Sequence, residues 1–198
     1  MKLVRGEVVP EPAVHVGFMV VGDGGHDEKV MKALFKRFDD EKFVLMPQDR
    51  PSLKLVGSVD LAAELIGRFG KDVLIVIDKE FFDEARFESL LKQRFSNYEV
   101  TRRDDGFWLV KVTRGARTAN LCVAVMGTRK DIWEVEAAII REFYGEEVAP
   151  TEEEIKRFLR ERGVKIYDLI EQLKDESLDR VFPRQFIDFL KRWGAHEV

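Results

Sequence analysis

The stretch Val14 to Val30, VHVGFMVVGDGGHDEKV, decides how the rest of this chain is read. Val16 to Val21 is a near-continuous apolar run, too short for a globular helix and rich in β-branched residues, the pattern of a strand buried on both faces. Gly22, Gly24 and Gly25 break the run. Asp27 is then expected to cap a helix whose apolar positions Val30, Met31, Leu34, Phe35 and Phe38 recur at helical spacing. Strand, glycine loop and helix in that order belong to open α/β sheets, whose ligands collect at the carboxyl ends of the strands. Further on, VLIVIDKE from Val73 to Glu80 repeats the abrupt passage from apolar to acidic. If the two runs lie side by side as parallel strands, Asp23, Asp78 and Glu80 meet at one sheet edge as a candidate divalent-metal site.

The composition sets the bounds around this pair. A chain of 198 residues with 45% hydrophobic content can hold one sizeable core. Its formal charge of −4 gives no global attraction to nucleic acid, so any such binding needs a local basic patch and a metal. The single cysteine, Cys122, can form neither an internal disulfide nor a zinc cluster, and its apolar surroundings mark it as a buried, inert thiol. No apolar segment approaches the roughly 18 residues of a membrane span. MKLVRGEVVPEP at the N-terminus lacks the apolar core of a signal peptide, so the expectation is a cytoplasmic protein with no membrane partner. Charged residues make up 35% of the chain, against about 25% in typical proteins. Asn and Gln together number only six. This is the bias of a thermophile protein and describes the source rather than the function.

Outward from the opening stretch, the pattern predicts βα units and then a change of grammar. A short edge strand is expected at Lys2 to Val4 and a strand at Lys42 to Met46, closed by Pro47 and Pro51. Ser58 is expected to cap a helix carrying Leu61, Leu65, Ile66 and Phe69, ended by Gly70. After the strand Val73 to Ile77, a helix from about Asp83 to Phe95 should bury Phe87, Leu90, Leu91 and Phe95. Tyr98 to Thr101, Gly106 to Thr113 and Ala119 to Met126 then read as three strands joined by hairpin turns, with no helix between them. Asp131 to Tyr144 reads as a helix with Ile132, Val135, Ile139 and Phe143 inside, stopped by Gly145. Pro150 marks a boundary between an α/β domain, residues 1–149, and a helical extension, residues 150–198, expected to pack on it. The extension should hold helices from Glu152 to Glu161, from Ile166 to Lys174, and from near Pro183. In the last, Phe186, Phe189, Leu190 and Trp193 share one face.

These residues resemble the Toprim-like fold, the metal-binding domain shared by topoisomerases, bacterial-type primases and several small nucleases. The resemblance covers about residues 14–145. It rests on Asp23-Gly24-Gly25-His26-Asp27 after the first long strand, with Asp where the family usually has Glu, and on Asp78-Lys79-Glu80, with Glu for the second Asp. The fold it implies is α/β, a mainly parallel sheet flanked by helices, with antiparallel strands near residues 98–126. The chemistry it implies is Mg²⁺- or Mn²⁺-dependent phosphoryl transfer on nucleic acid, nuclease-like. In that scheme Asp23, Asp78 and Glu80 are the metal ligands and Asp23 doubles as general acid or base. Lys29 and Lys79 would neutralise phosphate charge, Lys29 as part of the catalytic set, and Gly24 and Gly25 would line the phosphate.

Blander readings stand beside each assignment. Acids after buried strands are common loop residues, and Asp27 suits any helix start. The GDGG glycines can cradle a phosphate at a helix N-terminus, but their spacing satisfies neither the P-loop nor the dinucleotide fingerprint. His26 reads as a solvated loop residue or a metal or phosphate contact, His15 and His196 have no visible partners, and Trp108 and Trp133 read as core. Arg102, Arg103, Arg114 and Arg117, with Lys111, cluster around the two hairpin turns as a candidate nucleic-acid track or simply as a solvated face. Two functions stay open: a metal-dependent nuclease-like enzyme, or a non-catalytic Toprim-like binding or scaffold protein.

Overall fold

In chain order the strands are β1 (Lys2–Arg5), β2 (Val14–Val21), β3 (Lys42–Met46), β4 (Asp72–Asp78), β5 (Asn97–Asp104), β6 (Phe107–Arg114) and β7 (Arg117–Met126). The helices are α1 (Gly24–Phe35), α2 (Lys54–Phe69), α3 (Glu84–Arg94), α4 (Ile132–Tyr144), α5 (Glu152–Glu161), α6 (Ile166–Gln172), α7 (Asp175–Val181) and α8 (Arg184–Ala195). The computed structural model describes residues 1–6, 14–22, 24–38, 41–47, 53–129 and 131–195. Among the described residues the strands form one mixed sheet in the order β1-β3-β2-β4-β7-β6-β5, flanked by the eight helices.

Four neighbouring pairs run parallel, and the two that involve β6 run antiparallel. The chain reaches β7 by two hairpins, so a single reversed strand lets β7 return parallel beside β4. From β2 the chain moves to β3 on one side, and β4 lies on the other. The strand order therefore reverses between β2 and β4, the kind of switch point where a crevice opens outside the carboxyl ends.

Alternation along each strand divides the core into two layers. Val73, Ile75 and Ile77 of β4 face α2 and α3, whereas Leu74 and Val76 face α1, α4 and the C-terminal helices. Cys122 lies in the second layer, fully buried, and burial pushes its thiol well above the usual range. Phe186 and Phe189 of α8 lie 6.2 and 5.8 Å from Phe107, centroid to centroid, and Trp193 lies 6.4 Å from Phe35. The apolar face of α8 thus covers the sheet directly. Gly17 makes the close approach possible, since a Cβ there would lie 2.4 Å from Cζ2 of Trp193.

Several boundaries differ from the sequence expectation. Helix α1 begins at Gly24, so Asp27 lies inside its first turn instead of capping it. Helix α2 begins at Lys54, and Ser58 is buried within it. The helix expected over Ile166 to Lys174 ends at Gln172, where Leu173 and Lys174 turn extended, with ψ of 142° and 151°. A separate α7 follows, its first turn carrying Asp175 and Glu176, the charges a helix start favours. Phe143 is 39% exposed, because the buried stripe of α4 closes on Ile139 and Ile140. Pro51 and His196 lie outside the described residues. Among the described residues no helix is long and apolar enough to cross a membrane.

Candidate functional site

The carboxyl ends of β2 and β4 are held in register, with Val21 opposite Val76. Just beyond, the Gly22 N–H donates to the Val76 carbonyl oxygen at 2.7 Å. The Gly22 carbonyl oxygen in turn accepts from the backbone N–H groups of Leu53 at 3.1 Å and Lys54 at 2.7 Å. Glycine fits here because a Cβ would come within 2.9 Å of the Ile77 side chain. Strand β4 ends at Asp78, whose register partner in β7 is Met126. The backbone of Asp78 is still extended, so alternation carries its side chain to the layer of Leu74 and Val76, under α1 and α4.

The residues named from the sequence separate into distinct environments. Asp23 lies outside the described residues. Asp78 is 4% exposed, whereas Glu80, in the 3-10 turn Lys79–Phe81, is exposed. Gly24 and Gly25 open α1, Lys29 is exposed on its surface, and Lys79 is partly exposed at the strand end.

Buried polar side chains concentrate at this edge. Among the described residues, Asp27, Asp78, Asp131 and Glu136 are the buried carboxylates, and they belong to the first turn of α1, the tip of β4 and the start of α4. Buried carboxylates persist only with hydrogen bonds or opposite charge. Asp131 accepts the Trp133 N–H at 3.1 Å and caps α4. Glu136, 1% exposed, lies 2.6 Å from Nε2 of His26. The imidazole stacks on the indole of Trp133 at 4.4 Å with the rings 22° apart. His26 is therefore tied between α1 and α4 and is not a solvated loop residue, and Trp133 is half-buried beneath it instead of lying in the core. Sequence reasoning missed Glu136, although a carboxylate beside Val135 on an otherwise apolar stripe was a visible anomaly.

The basic residues of the hairpins are spread along the β5–β6 pair. Arg102 and Arg103 lie at one end of the β5–β6 pair and Arg114 and Arg117 at the other, separated by about 20 Å at the rise of a strand. Most are engaged within the chain. Arg103 pairs with Glu84 and Glu88 and lies 4.3 Å over Trp108, Arg102 donates to Gln185 at 3.0 Å, and Arg114 donates to the Arg94 carbonyl oxygen at 3.0 Å. Engaged guanidinium groups are less available to a phosphate backbone than solvated ones.

Beyond the end of β7 lies a cavity of about 660 Å³ between the outer face of α4 and the α7–α8 junction, with Val125, Thr128, Arg129, Val135 and Phe182 among its walls. Its cationic rim is largely neutralised. Arg141 pairs with Glu147 at 3.5 Å, and Arg180 pairs with Glu142 at 2.7 Å, a bond that holds the Glu142 carboxyl below its ordinary range.

Among the described residues no group of three His, Cys, Asp or Glu side chains is arranged to hold a metal. Asp78 and Glu80 remain, two hard oxygen donors two residues apart at a strand end. Asp78 is buried and Glu80 exposed, and both are of the ligand type that Mg²⁺ takes in company with water and phosphate. Comparison of the chain with protein-family profiles, with curated protein sequences and with solved structures returned no match.

Proposed function

We propose that this is a Toprim-like protein that transfers phosphoryl groups on nucleic acid, nuclease-like and Mg²⁺-dependent, with its site at the carboxyl ends of β2 and β4. The observation that carries the reading is the in-register pairing of these two strands at the point where the strand order reverses. Each is followed by one of the acidic motifs. In sequence Asp23 stands two residues after Val21, as Asp78 stands two after its partner Val76.

In this reading Asp78 and Glu80 hold the cation, Asp23 completes the set and moves the proton, and the amides opening α1 at Gly24 and Gly25 receive phosphate oxygens. Bound Mg²⁺ would supply electrostatic stabilisation to the phosphoryl oxygens. Lys29 and Lys79 contribute positive charge around the same edge. The test incubates wild type and Asp78→Asn with labelled single- and double-stranded DNA and RNA, in Mg²⁺ or Mn²⁺. Metal-dependent cleavage by wild type, reduced at least a hundredfold in the variant, is expected.

A second reading, a non-catalytic binding or scaffold protein of the same fold, is favoured by the engagement of Arg103 and Arg114 within the chain. Absence of cleavage by wild type on every substrate would select it.

A further inference from the structure

Resting on the phosphoryl-transfer reading, we infer that Lys54, at the start of α2, is a substrate-phosphate contact of the carboxyl-edge site. Three observations converge on this residue. It is the one non-glycine residue with positive φ among the described residues, at 48°. Left-handed backbone on a residue with a β-carbon is unfavourable and persists only where surrounding contacts impose it, which happens most at functional sites. Its N–H is fixed at 2.7 Å on the carbonyl oxygen of Gly22, the residue immediately before the first acidic motif. Its ammonium lies 5.0 Å over the ring of Phe81, the residue immediately after the second.

One lysine is therefore held by its backbone to the residue before one motif and by its side chain over the residue after the other, at the carboxyl ends of β2 and β4. It is exposed, and it makes no ion pair with any described carboxylate. An acidic edge that must receive a polyanion needs such a charge, because an ammonium already consumed by a carboxylate would have to be released first. Phe81 acts as a positioning residue: its ring holds the flexible lysine stem over the turn that carries Glu80 without neutralising the charge. The ligand chemistry is a phosphate group of a nucleic-acid strand.

The test uses the full chain, with anisotropy of a fluorescein-labelled thymidine oligonucleotide in Ca²⁺, which holds off cleavage, and with Mn²⁺ binding followed by electron paramagnetic resonance. Lys54→Met is expected to weaken oligonucleotide binding by about tenfold or more, the value of a charge-assisted hydrogen bond. Lys54→Arg should restore most of it, and both variants should keep wild-type Mn²⁺ affinity and melting temperature. Lys54→Met binding as tightly as wild type overturns the inference, and so does a loss accompanied by an equal loss of Mn²⁺ binding or by a lowered melting temperature. Asp78→Asn judges the parent reading separately. Retained Mn²⁺ binding in that variant sinks the metal site, whatever Lys54 does, whereas failure of wild type to bind the oligonucleotide sinks both.

Discussion

The imidazole of His15 shows how much one residue can report. It is half-buried at the start of β2, with Nε2 2.7 Å from the Gly17 carbonyl oxygen and its ring edge-on to Phe18 at 4.7 Å. Burial lowers its pKa from the usual 6.5, Lys71 lowers it further, and the bond to Gly17 offsets these only in part. The unfolded chain therefore takes up a proton more readily than the folded one. The stability this residue contributes is full above the unfolded value and is lost as pH falls through the folded value. As pH falls below about 6.5, the melting temperature of wild type should fall more steeply than that of His15→Gln. Parallel curves would remove His15 from the acid response. Lys54 and Glu136 mark the other limit at this scale. The backbone angle of Lys54 is set by Gly22, more than thirty positions away in the chain, and no local pattern announces it.

At the scale of elements, the seating of α8 on β2 depends on what Gly17 lacks. A Cβ there would meet Trp193 at 2.4 Å and the Asp72 carbonyl oxygen at 2.5 Å, and the latter is backbone that cannot swing away. Gly17→Ala should lower unfolding stability in urea by about 1–3 kcal/mol, as overpacking does. A wild-type midpoint would contradict the packing of Trp193 at this point. The strands and hairpins were readable because periodicity and turn residues are local: the expected Lys42 to Met46 is β3, and the helices expected from about Asp83 and from Asp131 start there, each with that aspartate as its cap. Helix starts at Gly24 and Lys54 were not readable. The first draws glycines, poor helix formers, into its opening turn, and the second is imposed by a distant carbonyl. Of the candidate site, the parallel pairing of β2 with β4 was within reach of βα alternation, while the His26–Glu136 bond depends on α4, whose docking no local rule specifies.

For the whole molecule, the helical extension completes the core. Helices α5 to α8 contribute Ile155, Leu169, Ile170, Phe186, Phe189 and Trp193 to the same buried layer as α1, α4 and the sheet. Ending the chain at residue 149 would strip α6 from α1, α6 and α7 from α4, and Trp193 from Phe35, and each side chain returned to water from full burial loses about 1.5–3 kcal/mol. The 1–149 fragment should therefore show no cooperative thermal transition by circular dichroism. A sharp transition near that of the full chain would make residues 150–198 a separable module.

The far edge of the sheet carries a last consequence. Strand β5 is almost wholly exposed, its register shifts between Val100 and Arg102, and Glu99, Arg102, Arg103 and Asp104 crowd its length. An irregular, charged border resists the addition of a further strand from another copy of the chain. The sheet terminates there by its own chemistry, and its open hydrogen-bonding groups face water without inviting edge-to-edge growth.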